Sequence, residues 1–374
     1  RGTATVSGSK PRVLMITARA DHGGGPEHLY QVCMHLSATH TISIACPNDE
    51  PYADRFSSIQ KLHKRITIPH RAISFLSFIK LIRFIHAEDI EVIHSHGKGA
   101  GIYGRLLAFA TRRHSVHTFH GLHIGEYSAI RKNLYRLVEH LLWQLSDQVI
   151  AVSQGEAAEV LQFLKVSRTK LAIIPNGVVI PEESLLQKSG PVLNVISASR
   201  YDAQKNPKAL LEIARGIKAA KAKVRIVVIG EGPLFEHTRS AIIEEHLTDV
   251  IHLAGATRHP RTEMRKASVA LSTSRWEGMP LALLEAMSEG LAIVASDVVG
   301  NNDIVTHGEQ GYLFSVEDTD QAVQQLVALS QDREQLVQLA ENARQNARQQ
   351  YSVDTMTAKV ERIYSKLLSR RPAK

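Results

Sequence analysis

Residues 272–294 read S-T-S-R-W-E-G-M-P-L-A-L-L-E-A-M-S-E-G-L-A-I-V, and their order decides the fold. The apolar run Val269-Ala270-Leu271 ahead of them is expected to be a buried strand that stops at Ser272-Thr273-Ser274. A loop carrying Trp276, Glu277 and Gly278 follows. Pro280 suits the first turn of a helix, where its missing N–H costs nothing. Leu281, Leu284, Ala286 and Met287 give that helix an apolar face, Gly290 ends it, and residues 291–295 make the next strand. Strand, loop, helix, strand puts the helix N-terminus at the carboxyl edge of a parallel sheet. There the free N–H groups and the helix dipole favour a phosphate. Two carboxylates share the stretch, Glu277 ahead of the helix and Glu285 within it. Beside a phosphate each is unfavourable unless it holds something such as a sugar hydroxyl; a helix cap and a solvated side chain are the other readings.

Glu277, seven intervening residues and Glu285, with Gly278 and Pro280 between, resemble the signature of retaining GT-B glycosyltransferases, specifically glycosyltransferase family 4. The resemblance implies an α/β fold of two doubly wound Rossmann-like domains facing each other across a cleft. It implies Glu277 near the donor sugar and Glu285 on the ribose hydroxyls of a nucleotide sugar. Gly278, Met279, Pro280 and Leu281 then count among the donor-binding residues.

At 374 residues the chain is long enough for two domains. Its 44% apolar and 22% charged content is that of a globular protein in water. No run of about 18 uncharged apolar residues occurs, so no spanning helix is expected. Residues 1–10, R-G-T-A-T-V-S-G-S-K, lack an apolar signal core and are expected to be a disordered leader or cloning remnant outside the fold. Cys33 and Cys46 follow no metal or redox spacing, and a reducing cytoplasm is the expected setting. A net charge of +8 and a pI near 9.4 suit a polyanion, an anionic membrane surface or a phosphate-bearing substrate. Aromatics are sparse and no nucleic-acid-binding motif occurs, which disfavours nucleic acid.

The strand at residues 12–16 leads through T-A-R-A-D-H-G-G-G-P-E-H-L into a helix over about 26–37. A glycine loop at such a junction lets backbone approach an anion. Three consecutive glycines are not the G-x-G-x-x-G of dinucleotide binding. The loop resembles the one over the donor diphosphate in GT-B N-terminal domains, and Gly24 and Gly25 take that place here; a flexible turn is the bland reading. Residues 41–46 make the second strand. Residues 71–86 form a strongly apolar helix with Arg71, Lys80 and Arg83, which either lies on a bilayer or packs on its sheet. The strand at 90–95 runs into H-S-H-G-K-G-A-G-I-Y-G-R, with a helix from about Ala100 and Lys98 placed for an acceptor phosphate or for simple helix packing.

His114, His117, His120 and His123 recur every third residue. Residues 115–119 alternate as a strand, which sends successive histidines to opposite faces, and no carboxylate or cysteine completes a ligand set. No metal is expected. The segment T-F-H-G-L-H instead resembles the family's loop near the donor sugar and acceptor, which implies that His120 touches the transferred sugar or the leaving phosphate; a plain hydrogen-bonded loop histidine is the other reading. Residues 130–145 make an amphipathic helix with Arg131, Lys132 and Arg136, and 148–152 a strand. Ser153-Gln154-Gly155-Glu156 is a capping box, and that role suffices for Ser153. The P-N-G-V element at 175–178 resembles the one that closes the family's N-terminal domain.

Residues 181–191 are polar and aperiodic and are expected to be the linker. The expected division is therefore 11–182 for an acceptor domain, 190–350 for the nucleotide-sugar domain, and 351–374 for a helix that packs back on the first. After the linker come strands at 193–199 and 224–230, with S-R-Y-D-A-Q-K-N-P and a helix from Pro207 between them. Arg200 and Lys205 at a strand's carboxyl end can neutralise a departing diphosphate, matching the family's Arg and Lys pair. Gly230-Glu231-Gly232-Pro233 resembles a family loop near the nucleotide. In the loop at 298–304, expected to offer N–H groups to the donor, Asn301, Asn302 and Asp303 stand where the family often has a second glycine and Glu. Residues 251–255 are a further strand, 308–314 a turn and a strand, 318–349 are helical, and the last helix runs over about 353–368.

The resemblance implies transfer of a sugar from a nucleotide sugar, most commonly a UDP-hexose or UDP-N-acetylhexosamine. The acceptor is a hydroxyl of a glycan or lipid-linked molecule, the configuration is retained, and no metal or cofactor is needed. Cell-surface polysaccharide or glycolipid synthesis, with peripheral contact on an anionic membrane, is the expected setting. The alternatives are a nucleotide-sugar epimerase of the same architecture and a non-catalytic nucleotide-sugar-binding protein. A nicotinamide-dependent oxidoreductase is disfavoured, because neither domain opens with G-x-G-x-x-G.

Overall fold

The computed structural model describes residues 10–122, 127–182 and 190–369. The expected leader through residue 9, His123, most of the expected linker (183–189) and residues beyond 369 lie outside them. The chain divides into two units, one running to Pro175 and resuming at Val353, the other Asn176–Ser352.

Short apolar runs punctuated by loops give the first unit seven strands: β1 (Arg12–Thr17), β2 (Thr41–Cys46), β3 (Leu62–Thr67), β4 (Val92–His96), β5 (His114–Thr118), β6 (Gln148–Ala151) and β7 (Leu171–Ile173). All pair in parallel, in the order β3-β2-β1-β4-β5-β6-β7. Parallel neighbours need crossovers, and helices supply them: α1 (Gly24–Leu36), α2 (Tyr52–Ser57), α3 (Phe75–Ala87), α4 (Lys98–Thr111), α5 (Ala129–Gln144) and α6 (Gln154–Leu164). On one face Val13, Met15 and Val92 pack under α1, with Leu29, Val32 and Leu36. On the other, Leu14, Ile16 and Ile93 meet Leu81 and Ile85 of α3 and Tyr103 and Leu107 of α4.

The second unit has β8 (Leu193–Ala198), β9 (Val224–Ile229), β10 (Ile251–Gly255), β11 (Val269–Ser272), β12 (Ala292–Ser296) and β13 (Gly311–Phe314). They too are parallel, in the order β10-β9-β8-β11-β12-β13. Its helices are α7 (Pro207–Ala219), α8 (Phe235–Glu244), α9 (Pro260–Met264), α10 (Leu281–Ser288), α11 (Asn301–Ile304), α12 (Thr319–Gln331) and α13 (Arg333–Gln350). A last helix, α14 (Val353–Leu368), belongs to the first unit. Its Met356, Val360 and Tyr364 join the core beneath α1, and the Tyr364 hydroxyl meets His94 Nδ1 at 2.6 Å.

Strand order reverses between β1 and β4 in one sheet and between β8 and β11 in the other. Ligands of such sheets bind where the order reverses, beyond the strand carboxyl ends. Each unit therefore has one place at which to look.

Three local expectations need correction. Pro280 is the N-cap of α10, with ψ 101, rather than a residue of its first turn. The helical stretch 318–349 is two helices, broken at Asp332, whose side chain caps α13 by accepting from the Gln335 N–H at 2.9 Å. The P-N-G-V element straddles the division between Pro175 and Asn176, ahead of the expected boundary at 182. Val178 bridges to Ser352, and the buried Asn176 donates from Nδ2 to the Met279 carbonyl at 3.2 Å, so the turn goes with the second unit.

Candidate active site

In the second unit, the loops after β8 and β11 meet at the reversal point. Lys205 Nζ pairs with the Glu277 carboxylate, their side chains only 18% and 8% exposed. An ion pair so shielded from water is coupled far more strongly than a surface pair. The backbone around it is tied down on both sides. Thr273 Oγ1 donates to the Lys205 carbonyl at 2.8 Å, and the Lys205 N–H donates to Asp202 Oδ1 at 3.1 Å. Gln204 links the two loops: it accepts from the Arg275 N–H at 2.8 Å through its carbonyl and donates from Nε2 to the Trp276 carbonyl at 3.0 Å. Arg200 is half-exposed, with Nη2 3.1 Å from Asp202 Oδ2 and 3.4 Å from Gln204 Oε1. Asp202 and Gln204 thus aim the two cations that the sequence singled out, a role their own residue types did not signal.

The G-E-G-P loop after β9 seats this arrangement. Gly230 has φ +133, and a Cβ there would fall 1.9 Å from the Ser199 carbonyl oxygen. At Gly232 a Cβ would lie 2.6 Å from the Tyr201 carbonyl oxygen. The loop is a bare backbone shelf on which the segment holding Arg200 rests, fastened where the Tyr201 N–H donates to the Glu231 carbonyl at 3.1 Å.

Around α10, Gly278, Met279, Pro280 and Leu281 are buried and Glu285 is half-buried. The loop after β12 differs from expectation. The Gly300 N–H donates to Asp303 Oδ2, and the N–H groups of Asn301 and Asn302 both donate to the Val298 carbonyl. Those three groups are used inside the loop rather than offered to a donor, because the Asp303 side chain reaches back to close it. Gly300 is nonetheless required, since a Cβ there would press within 2.8 Å of Glu277 Cβ. A small cavity at the β8 and β11 ends is lined by Ser197, Lys205, Ser272, Thr273, Glu277 and Pro280, among others.

The first unit's reversal point is chemically different. Gly24 and Gly25 lie within the first turn of α1 rather than in the loop before it. A Cβ on Gly25 would stand 3.9 Å from the His120 ring. His120, just past β5, stacks on His96 at the end of β4, and His28 of α1 meets His120 edge-on with ring centroids 4.8 Å apart. His94, His96 and His117 are buried. Burial, and then neighbouring imidazoles, push His94 down to about 3 and His96 well below the ordinary range. Burial, and then the Arg105 guanidinium, do the same to His117. These rings are neutral at physiological pH.

Position and strand pleat separate the expected histidine series: His114 lies by Asp147, His117 by Ser95, and His120 by His96. Among the described residues, the group with ligand atoms all within 4.8 Å of one another is His28, His96 and His120, from three distant segments. Within it His120 Nε2 and His96 Nδ1 are 3.5 Å apart, so the three rings form a close imidazole cluster beyond the ends of β4 and β5. Glu156 supplies something the sequence did not reveal. Its N–H is capped by Ser153 Oγ at 3.0 Å, while its fully buried carboxylate accepts from the N–H groups of Val152 and Gly121, pinning the residue after His120. Lys98 opens α4 with Nζ 4.8 Å from the ring centroids of both Tyr127 and Tyr135, and burial lowers its pKa to about 8 despite Glu139. Gly101 and Gly104 are explained by packing, since a Cβ on either would strike His117 or Ser95.

Comparison with known proteins agrees with this layout. Residues 22–180 match the model of Glycosyltransferase Family 4, and residues 183–346 that of Glycosyl transferases group 1. The chain is 26% identical over 316 residues to the UDP-Gal:α-D-GlcNAc-diphosphoundecaprenol α-1,3-galactosyltransferase of Escherichia coli, covering 78% of this chain and 80% of that protein. It is 24% identical over 306 residues to the N-acetyl-α-D-glucosaminyl L-malate synthase of Bacillus anthracis, covering 77% and 78%. The crystal structure of Anabaena HepE in complex with UDP and glucose shares the fold, with a TM-score of 0.81 at 17% identity over 95% of this chain and all of that one.

Proposed function

From the premise that this chain belongs to the GT-B glycosyltransferases of family 4, we propose that it moves a sugar from a nucleotide sugar, most readily a UDP-hexose or UDP-N-acetylhexosamine, to a hydroxyl, with retention of configuration. The acceptor is a glycan or lipid-linked molecule in cell-surface polysaccharide or glycolipid synthesis, met by a peripheral protein at the inner face of the membrane. The E. coli relative named for a lipid diphosphate-linked acceptor and the HepE complex with UDP and glucose support that choice.

The observation that carries the reading is the shielded Lys205–Glu277 pair at the strand reversal, with Arg200 beside it. In the reaction the bond from the sugar C1 to the diphosphate oxygen breaks, and a bond from C1 to the acceptor oxygen forms on the same face. The acceptor proton passes to the departing diphosphate. Arg200, Lys205 and the N-terminus of α10 carry the negative charge that develops, so the step requires no metal. Glu277 holds Lys205 in place and borders the donor sugar, while Glu285 takes the ribose hydroxyls. His120 is assigned to the transferred sugar or the leaving phosphate, where an imidazole nitrogen can make a hydrogen bond.

The test is a thermal-shift panel of nucleotide sugars and free nucleotides, without metal and then with magnesium. A donor in excess over its Kd raises the melting temperature by mass action. The shifting donor is then offered acceptors, and the configuration at C1 of the product is read by NMR. No shift with any nucleotide overturns the proposal. Free UDP and an altered sugar without acceptor would identify an epimerase instead.

A further inference from the structure

We propose that the face formed by α3, α4 and α5 docks the first unit on an anionic lipid bilayer, with α5 lying along the surface. The inference deepens the reading of a membrane-bound acceptor and rests on it for its purpose, though not for its evidence. On α5, Ile130, Leu134, Leu137 and Leu141 are 82%, 61%, 57% and 59% exposed. Their spacing of four, three and four residues aligns them in one stripe along the helix. Phe109 on α4 and Phe75 and Leu76 at the start of α3 are also largely exposed. The three helices are neighbours on one side of the sheet. The Ser74 N–H donates to the Tyr103 hydroxyl where α3 begins, and Arg105 of α4 makes a buried two-point pair with Glu139 of α5 at 2.8 and 3.1 Å.

Charge decides the occupant. Lys80, Arg83 and Arg131 are exposed and Lys132 and Arg136 partly so, whereas Lys98 packs on Tyr127 and Tyr135 and Arg105 is buried on Glu139, the one carboxylate of the three helices. A second copy facing this surface would set cations against cations. Anionic headgroups complement them, and long cationic side chains reach outward while apolar neighbours sink into the acyl boundary.

The test is co-sedimentation of the whole protein with vesicles of phosphatidylglycerol and phosphatidylcholine, and with phosphatidylcholine alone. Binding is expected to the anionic vesicles, weakened by high salt. The double substitution Leu134→Glu and Leu137→Glu should reduce it at least about tenfold while leaving thermal unfolding and donor-induced stabilisation as they are. No binding at low salt, or equal binding by variant and wild type, overturns the proposal. So does a dimer that the same substitutions split in the absence of vesicle binding. The assay contains no sugar donor, so a failed docking surface and a failed transfer reaction are told apart.

Discussion

The two sheets follow one plan and arm their carboxyl edges with opposite chemistry. At the β1 and β4 reversal the side chains are buried imidazoles held neutral, His94 and His96. At the β8 and β11 reversal they are charged, Lys205 on Glu277 and Arg200 on Asp202. All five histidines of the second unit, at 237, 246, 252, 259 and 307, are exposed. The same topology carries neutral rings at one edge and paired charges at the other, because burial penalises an imidazolium without a counter-charge, whereas a carboxylate partner compensates an ammonium. Neutral groups suit the hydroxyls of sugars, and paired cations suit a diphosphate.

The largest expected effect falls on the charged edge. Lys205→Ala should lower kcat on the order of 10²–10³-fold, measured as nucleotide release from the donor found by thermal shift. Turnover near wild type would break the contrast, since the second edge would then not work through its charge. Next comes the backbone that seats that edge. Gly230→Ala forces a Cβ against the Ser199 carbonyl and should cost about 3 kcal/mol or more, read by urea unfolding.

On the neutral edge, acid is the probe. His94, His96 and His117 have folded pKa values depressed below their unfolded values, so the unfolded chain binds the extra protons. Their contribution is whole above a pH of about 6.5 and is lost progressively as the pH falls toward the folded value, about 3 for His94. Buried Trp143 in a Trp276→Phe variant reports this unit. A denaturant midpoint unchanged between about pH 7 and pH 5 would mean that these rings charge without leaving the core. The smallest effect is expected from Gly97→Ala, which has φ +77 but meets nothing within 4 Å. Only the strain of a positive φ with extended ψ, about 1–3 kcal/mol, should be felt. A loss equal to that of Gly230→Ala would erase the difference between an open turn and a backbone shelf.

Much of the fold was legible because a parallel strand buried on both faces is a short apolar run with polar ends. Thr41–Cys46 and Ile251–Gly255 are strands at the residues where the sequence put them. What the pattern obscured was which apolar surface is covered. Residues 71–86 look like the surface-seeking helix, yet α3 turns Leu81 and Ile85 into the core, whereas the less apolar α5 leaves its stripe in solvent. Periodicity reports that a face exists, not what packs against it. In the site, Lys205 and Glu277 stood out because each follows a strand, and the structure brings them together across 72 positions. His28, His96, Glu156 and Gln204 carried no comparable signal, since each acts through a partner distant in sequence or through backbone, as Gly121 does for Glu156.

The passage of α14 into the first unit bears on how the protein is made. A nascent chain emerging through Pro175 already holds all seven strands of that unit. Yet Val353, Met356, Val360, Tyr364 and Leu367, which fill one face of its core, are translated only after the whole second unit. At roughly 5–20 residues per second, that leaves about ten to forty seconds of apolar exposure. During synthesis the second unit, contiguous in sequence, can finish folding first, and the domain begun earliest is the last to close.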